Sequence, residues 1–145
     1  RAPMIAALVQ NGIPVLGHIG LTPQSVKVLG HRVQGRGDEA AQQLVADARA
    51  VAAAGAFAIV LEAVPADLGA QVSAAVDVPV IGIGAGPGCD GQILVINDVL
   101  GLSGDFKPKF VKVYADLGKQ ISAAAAAYKA DVAGGAFPGP EHCYE

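Results

Sequence analysis

Phe57-Ala58-Ile59-Val60-Leu61 is an unbroken apolar run, and the residue that closes it is Glu62. Successive strand residues point to opposite faces, so a strand with one wet face alternates apolar and polar side chains. A run without alternation needs cover on both faces, the condition of a strand inside a parallel sheet. Ala63-Val64-Pro65 follow, which puts Glu62 where strand gives way to loop. Ligands bind at that carboxyl edge in open parallel sheets and in α/β barrels. A lone carboxylate delivered there is a candidate for chemistry; the plainer role is a loop-edge glutamate reaching water.

The pattern recurs along the chain. Residues 2–10 read as a helix end stopped by Asn11-Gly12, and residues 13–20 as a short apolar strand. Thr22 and Pro23 mark a turn or a single helical turn, as cap and first helical residue. Residues 27–37 are polar, with Gly30, Gly35 and Gly37, and read as a loop able to act as a lid. Asp38 is expected to cap a helix with Leu44, Val45, Ala48, Val51 and Ala52 on its apolar face, ended by Gly55. Pro65 opens another, carrying Leu68, Val72, Ala75 and Val76. Residues 78–83 form the third expected strand, and 92–96 the fourth, with Gly84-Ala85-Gly86-Pro87-Gly88 after the third. Phe110, Tyr114, Leu117, Ile121, Ala124 and Tyr128 recur at helical spacing. They predict a long helical region, broken near Gly118 and ended by Gly134-Gly135, before an aromatic, proline-containing tail.

Alternating strands and helices imply an α/β fold with about four parallel strands and right-handed crossovers. The 145 residues allow one domain, 1–145, with 106–145 as its C-terminal helical region and tail. Four βα units are half of an eight-stranded barrel, which usually needs about 250 residues. An open half-barrel would leave two strand edges bare, so the chain is expected to be the C-terminal half of a (βα)8 TIM barrel. Apolar residues make up 52% and charged ones 16%, which suits buried strands, and the 19 glycines suit short turns. A net charge of −3 offers no electrostatic basis for binding nucleic acid or an anionic membrane. Pro3, Pro14 and Pro23 interrupt the sparsely charged start, so no membrane span is expected. Cys89 and Cys143 match no zinc or CxxC spacing, which points to a reducing cytoplasm.

Three strand ends deliver distinctive groups to one rim: His18, Glu62 and the glycine loop 82–91. Gly82-x-Gly84-x-Gly86 resembles a phosphate cradle, but the dinucleotide fingerprint needs a helix next, and a strand is expected there. Close backbone approach to a ligand, or simple turning, explains these glycines better. His18 is either a satisfied structural histidine or a donor to a substrate carboxylate or carbonyl. Asp90 and Asp98 lack a spaced partner for a metal and read as turn or cap residues. No Ser-His-Asp elbow, HExxH or Walker sequence occurs.

Gly17-His18-Ile19-Gly20-Leu21-Thr22-Pro23-Gln24-Ser25, Val33-Gln34-Gly35-Arg36, Leu61-Glu62-Ala63-Val64-Pro65 and Ile81-Gly82-Ile83-Gly84-Ala85-Gly86 together resemble the ketopantoate hydroxymethyltransferase family. Cys89-Asp90-Gly91-Gln92, Phe137-Pro138 and Glu141-His142 agree in order and spacing, so the resemblance covers essentially the whole chain. It implies a barrel of the phosphoenolpyruvate/pyruvate type, assembled as a homodecamer. The implied reaction moves a hydroxymethyl group from methylenetetrahydrofolate to 3-methyl-2-oxobutanoate, giving ketopantoate in the first step of pantothenate biosynthesis. The resemblance makes Glu62 the proton acceptor and puts His18 in the substrate pocket. It also implies Mg²⁺, held by carboxylates of the family's first half, so no metal ligand is expected here and the chain alone is expected to be inactive. An isocitrate lyase or phosphoenolpyruvate mutase relative would share the architecture but lack these blocks together. An inactive assembly fragment is the remaining alternative.

Overall fold

The computed structural model describes residues 1–104 and 106–145, and these divide into two compact units, Arg1–Ile93 and Leu94–Glu145. The first holds a four-stranded parallel sheet in the order β1-β2-β3-β4: β1 (Leu16–Gly20), β2 (Ala58–Glu62), β3 (Val80–Ile83) and β4 (Gly91–Gln92). Helix α1 (Ala2–Gln10) precedes it, and a 3-10 turn (Pro23–Ser25) with α2 (Val26–Leu29) and then α3 (Asp38–Ala53) joins β1 to β2. Helix α4 (Ala66–Ala74) joins β2 to β3. This is the order of part of a (βα)8 barrel.

Parallel pairing sets Ile19 beside Leu61 and Ile59 beside Val80, and period two puts these on one face. On that face Ile19, Ile59, Leu61 and Val80 form one buried cluster with Leu44 and Ala48 of α3 and Leu68 and Val72 of α4. The expected apolar face of α3 is therefore the one that packs, as are Leu68 and Val72 of α4; that helix ends at Ala74, so Ala75 and Val76, expected on its face, lie beyond it. Asp38 and Pro65 each sit one step from their expected places. Gly37 is the N-cap of α3, leaving Asp38 as its first residue, and Pro65 is the N-cap of α4.

Three expectations are corrected. Residues 26–29 are helical, so the 27–37 segment is not all loop. The expected strand over 92–96 shrinks to β4: Ile81 pairs with Gly91 and Gly82 with Gln92, and Ile93 N–H gives a last bond to Gly82 O at 3.0 Å. Beyond it Val95 O accepts from Asp98 N–H at 2.9 Å and from Val99 N–H at 3.1 Å, opening α5 (Ile96–Val99). The β-branched residues there had strand propensity, but propensity yields to context. In the second unit the long helix α6 spans Leu117–Gly134. It leaves Phe110 and Tyr114 outside, because Tyr114 N–H bonds to Val99 O at 2.8 Å instead of entering a helical ladder. Gly118 lies in the first turn of α6, not at a break, and Gly135 closes the helix in the left-handed conformation at φ 71°.

The β3–β4 connection carries no helix; it is a glycine loop pressed onto α4. A Cβ on Gly69 of α4 would lie 2.1 Å from Ala85 O, and a backbone atom cannot swing aside. Gly69→Ala is therefore expected to destabilise the fold by about 1–3 kcal/mol, although alanine favours helix over glycine by about 1 kcal/mol. A urea midpoint equal to or above that of the parent would contradict this packing.

Candidate active site

Glu62 is the last residue of β2 and pairs with Gly20, the last of β1; His18 pairs with Val60. Cross-strand partners in a parallel sheet share a face, so His18, Val60 and Glu62 lie together on the face opposite the helix-packed core. Ile81 and Ile83 of β3, paired with Val60 and Glu62, extend that face. Val60 and Ile83 are buried, so the two polar side chains stand at the end of an apolar strip. His18 Nε2 lies 3.0 Å from Glu62 Oε2, with the side chains 33% and 21% exposed. They are accessible to a small molecule, yet partly withdrawn from water.

The backbone around Glu62 is gripped from three sides. Its carbonyl accepts from Leu21 N–H at 2.9 Å, just past the end of β1. Ala63 N–H and Val64 N–H donate to Ile83 O at 2.9 Å and Gly84 O at 3.2 Å, at the end of β3. Ala63 O accepts from Gln34 N–H at 2.8 Å. Ala63 itself has φ 52°, a left-handed conformation that costs a residue with a Cβ about 1–2 kcal/mol and persists because the surroundings over-determine it. Gly20 serves the same junction. At φ 84°, a Cβ there would sit 2.2 Å from Glu62 O.

The other sequence candidates resolve differently. Gly86 and Gly88 lie where a Cβ would fall 2.3 Å and 2.7 Å from the Cβ atoms of Ala66 and Ala70, so these loop glycines serve close packing on α4. Gln92 Nε2 ties the loop by donating to Gly86 O at 2.9 Å. Asp90 Oδ2 accepts from Val80 N–H at 2.8 Å, which makes it a structural staple at the start of β3. Asp98 Oδ1 accepts from Ser103 Oγ in the second unit. The 27–37 segment is tied down near its end by Gln34 and by Gly35, whose Cβ would lie 2.4 Å from Leu68 Cδ2. Burial pushes the Cys89 thiol up, chiefly through desolvation, so it stays protonated near neutral pH and is unsuited to nucleophilic work.

Sequence reasoning missed the holding parts, Ala63, Gly20 and Gln34. The glycine after His18-Ile19 was the one available signal; a left-handed alanine leaves none. Among the described residues no helix is long and apolar enough to cross a membrane.

Residues 1–140 match the family model described as ketopantoate hydroxymethyltransferase. The chain is 62% identical over 138 residues to a protein of Streptomyces coelicolor named 3-methyl-2-oxobutanoate hydroxymethyltransferase, covering 95% of this chain and 47% of that protein. Proteins of the same name from Paracoccus denitrificans and Mycobacterium ulcerans are each 58% identical over 144 residues. These matches take in 99% of this chain and 52% and 48% of the two relatives. The chain thus spans about half the length of the curated relatives it matches.

Proposed function

The chain belongs to the ketopantoate hydroxymethyltransferase family, and on that premise we propose that it supplies the proton-abstracting side of an active site that makes ketopantoate from 3-methyl-2-oxobutanoate. The observation that carries this reading is Glu62, half-buried at the carboxyl end of β2 and within 3.0 Å of His18. The one-carbon donor is methylenetetrahydrofolate, and the pathway is pantothenate biosynthesis. The isocitrate lyase and phosphoenolpyruvate mutase alternative is set aside by the family match.

The branched carbon of the substrate carries a weakly acidic proton beside a ketone. Glu62 takes that proton as general base, a role a positioned carboxylate fills with about 10²–10⁴-fold effect. The freed electron pair forms the new carbon–carbon bond to the methylene carbon of the folate. Both carbon–nitrogen bonds of that methylene break: water supplies the oxygen of the product hydroxyl, and the substrate's proton with one proton of water end on the two nitrogens of the released tetrahydrofolate. The apolar strip of Val60, Ile81 and Ile83 favours a branched aliphatic substrate over a polar one.

Mg²⁺ is proposed as the metal of the complete enzyme, where it would stabilise negative charge on the oxo acid. Among the described residues no three His, Cys, Asp or Glu side chains are grouped to hold a metal ion, and Asp90 and Asp98 are engaged elsewhere. A homodecamer in the cytoplasm completes the reading; the two free cysteines suit a reducing compartment.

The test is product formation. A full-length enzyme carrying this chain, given 3-methyl-2-oxobutanoate, methylenetetrahydrofolate and Mg²⁺, is expected to release ketopantoate, while residues 1–145 alone release none. Absence of product from the full-length enzyme would refute the function, and turnover by the 145-residue chain would refute the assignment of metal ligands elsewhere.

A further inference from the structure

Three of the contacts on Glu62 come from one short stretch. Residues 18–21 supply the imidazole on Oε2, the glycine that admits the Glu62 carbonyl, and the Leu21 N–H that binds it. We propose that His18 is a positioning residue, holding one carboxylate oxygen of Glu62 so that the other faces the substrate's proton; this rests on the reading of Glu62 as the base.

The chemistry of the imidazole supports this over a direct substrate contact. With Glu62 ionised, a hydrogen bond at 3.0 Å requires the proton on Nε2. While it is held on Oε2, that same N–H cannot also be given to a substrate carboxylate or carbonyl. The bond takes up Oε2 and leaves Oε1 as the available acceptor. The main chain that carries the carboxylate is fixed by Leu21 N–H on its carbonyl and by Ala63, held at φ 52°, and the bond from His18 is what then fixes the side chain. Orientation of this kind acts on the chemical step, where a misplacement of about 1 Å can cost as much as 10²-fold.

Two variants of similar length separate the roles. In the full-length enzyme, His18→Gln keeps an N–H donor within reach of Oε2, and His18→Met fills similar space without one. The expected result is a fall in kcat of about 10- to 100-fold for His18→Met with KM for the oxo acid little changed, and substantial recovery in His18→Gln. Equal kcat in the two variants would overturn the proposal, as would a rise in KM at unchanged kcat, which would mark a substrate-binding residue. Glu62→Gln, assayed alongside by exchange of the substrate's proton, distinguishes the two failures. If it exchanges normally, the base assignment falls and the positioning role with it. If it is inactive while the His18 variants match each other, only the positioning role falls.

Discussion

Glu62→Gln, in a full-length enzyme carrying this chain, is expected to lower turnover by about 10²-fold or more while leaving the fold intact. Glutamine has the same shape, and its amide oxygen can still accept the hydrogen bond that His18 gives Oε2 at 3.0 Å. What it lacks is basicity. The discriminating measurement is exchange of the substrate's branched-carbon proton with solvent deuterium, because that step precedes carbon–carbon bond formation and needs no folate. Exchange near the parent rate would end the assignment of Glu62 as proton acceptor, whatever happened to overall turnover.

Leu61→Ala is expected to do the reverse, costing about 2–5 kcal/mol of stability and sparing the chemistry of the molecules that remain folded. Leu61 is fully buried on the opposite face of β2 from Glu62, in the cluster closed by Leu44, Ala48, Leu68 and Val72. Those residues come from two helices and cannot all collapse into the space left behind, so the loss includes a cavity contribution as well as transfer free energy. Set against about 5–15 kcal/mol for a typical domain, that is a large share of the whole. A denaturation midpoint that moves by less than the equivalent of about 1 kcal/mol would show that Leu61 is not the core residue its burial indicates.

Adjacent residues with opposite consequences follow from strand geometry, and that part was legible early. The apolar run 57–61 implied two covered faces, and Glu62 as its terminus fell at the carboxyl edge. The faces of α3 and α4 were equally readable, since Leu44, Ala48, Leu68 and Val72 sit at helical spacing. Local sequence carried less about where elements stop. Residues 92–96 have strand composition, yet Val95 O is claimed by α5. Phe110 and Tyr114 continue the seam of α6 by spacing, yet Tyr114 N–H bonds to Val99 O.

By itself the sequence determined the alternation of strand and helix, the family blocks, and the place of Glu62 at a strand end. Each rests on periodicity or on neighbours along the chain, and so is encoded within a few residues of itself. The tertiary structure decided what holds that carboxylate. His18 and Glu62 stand 44 residues apart, and whether they meet depends on the register that sets Gly20 against Glu62; a slip of one residue would turn His18 to the other face. Other tertiary hydrogen bonds hold Ala63 in a left-handed turn and tie Asp90 to the backbone of Val80. Those partners are chosen by packing of the whole sheet, which no short stretch of sequence contains.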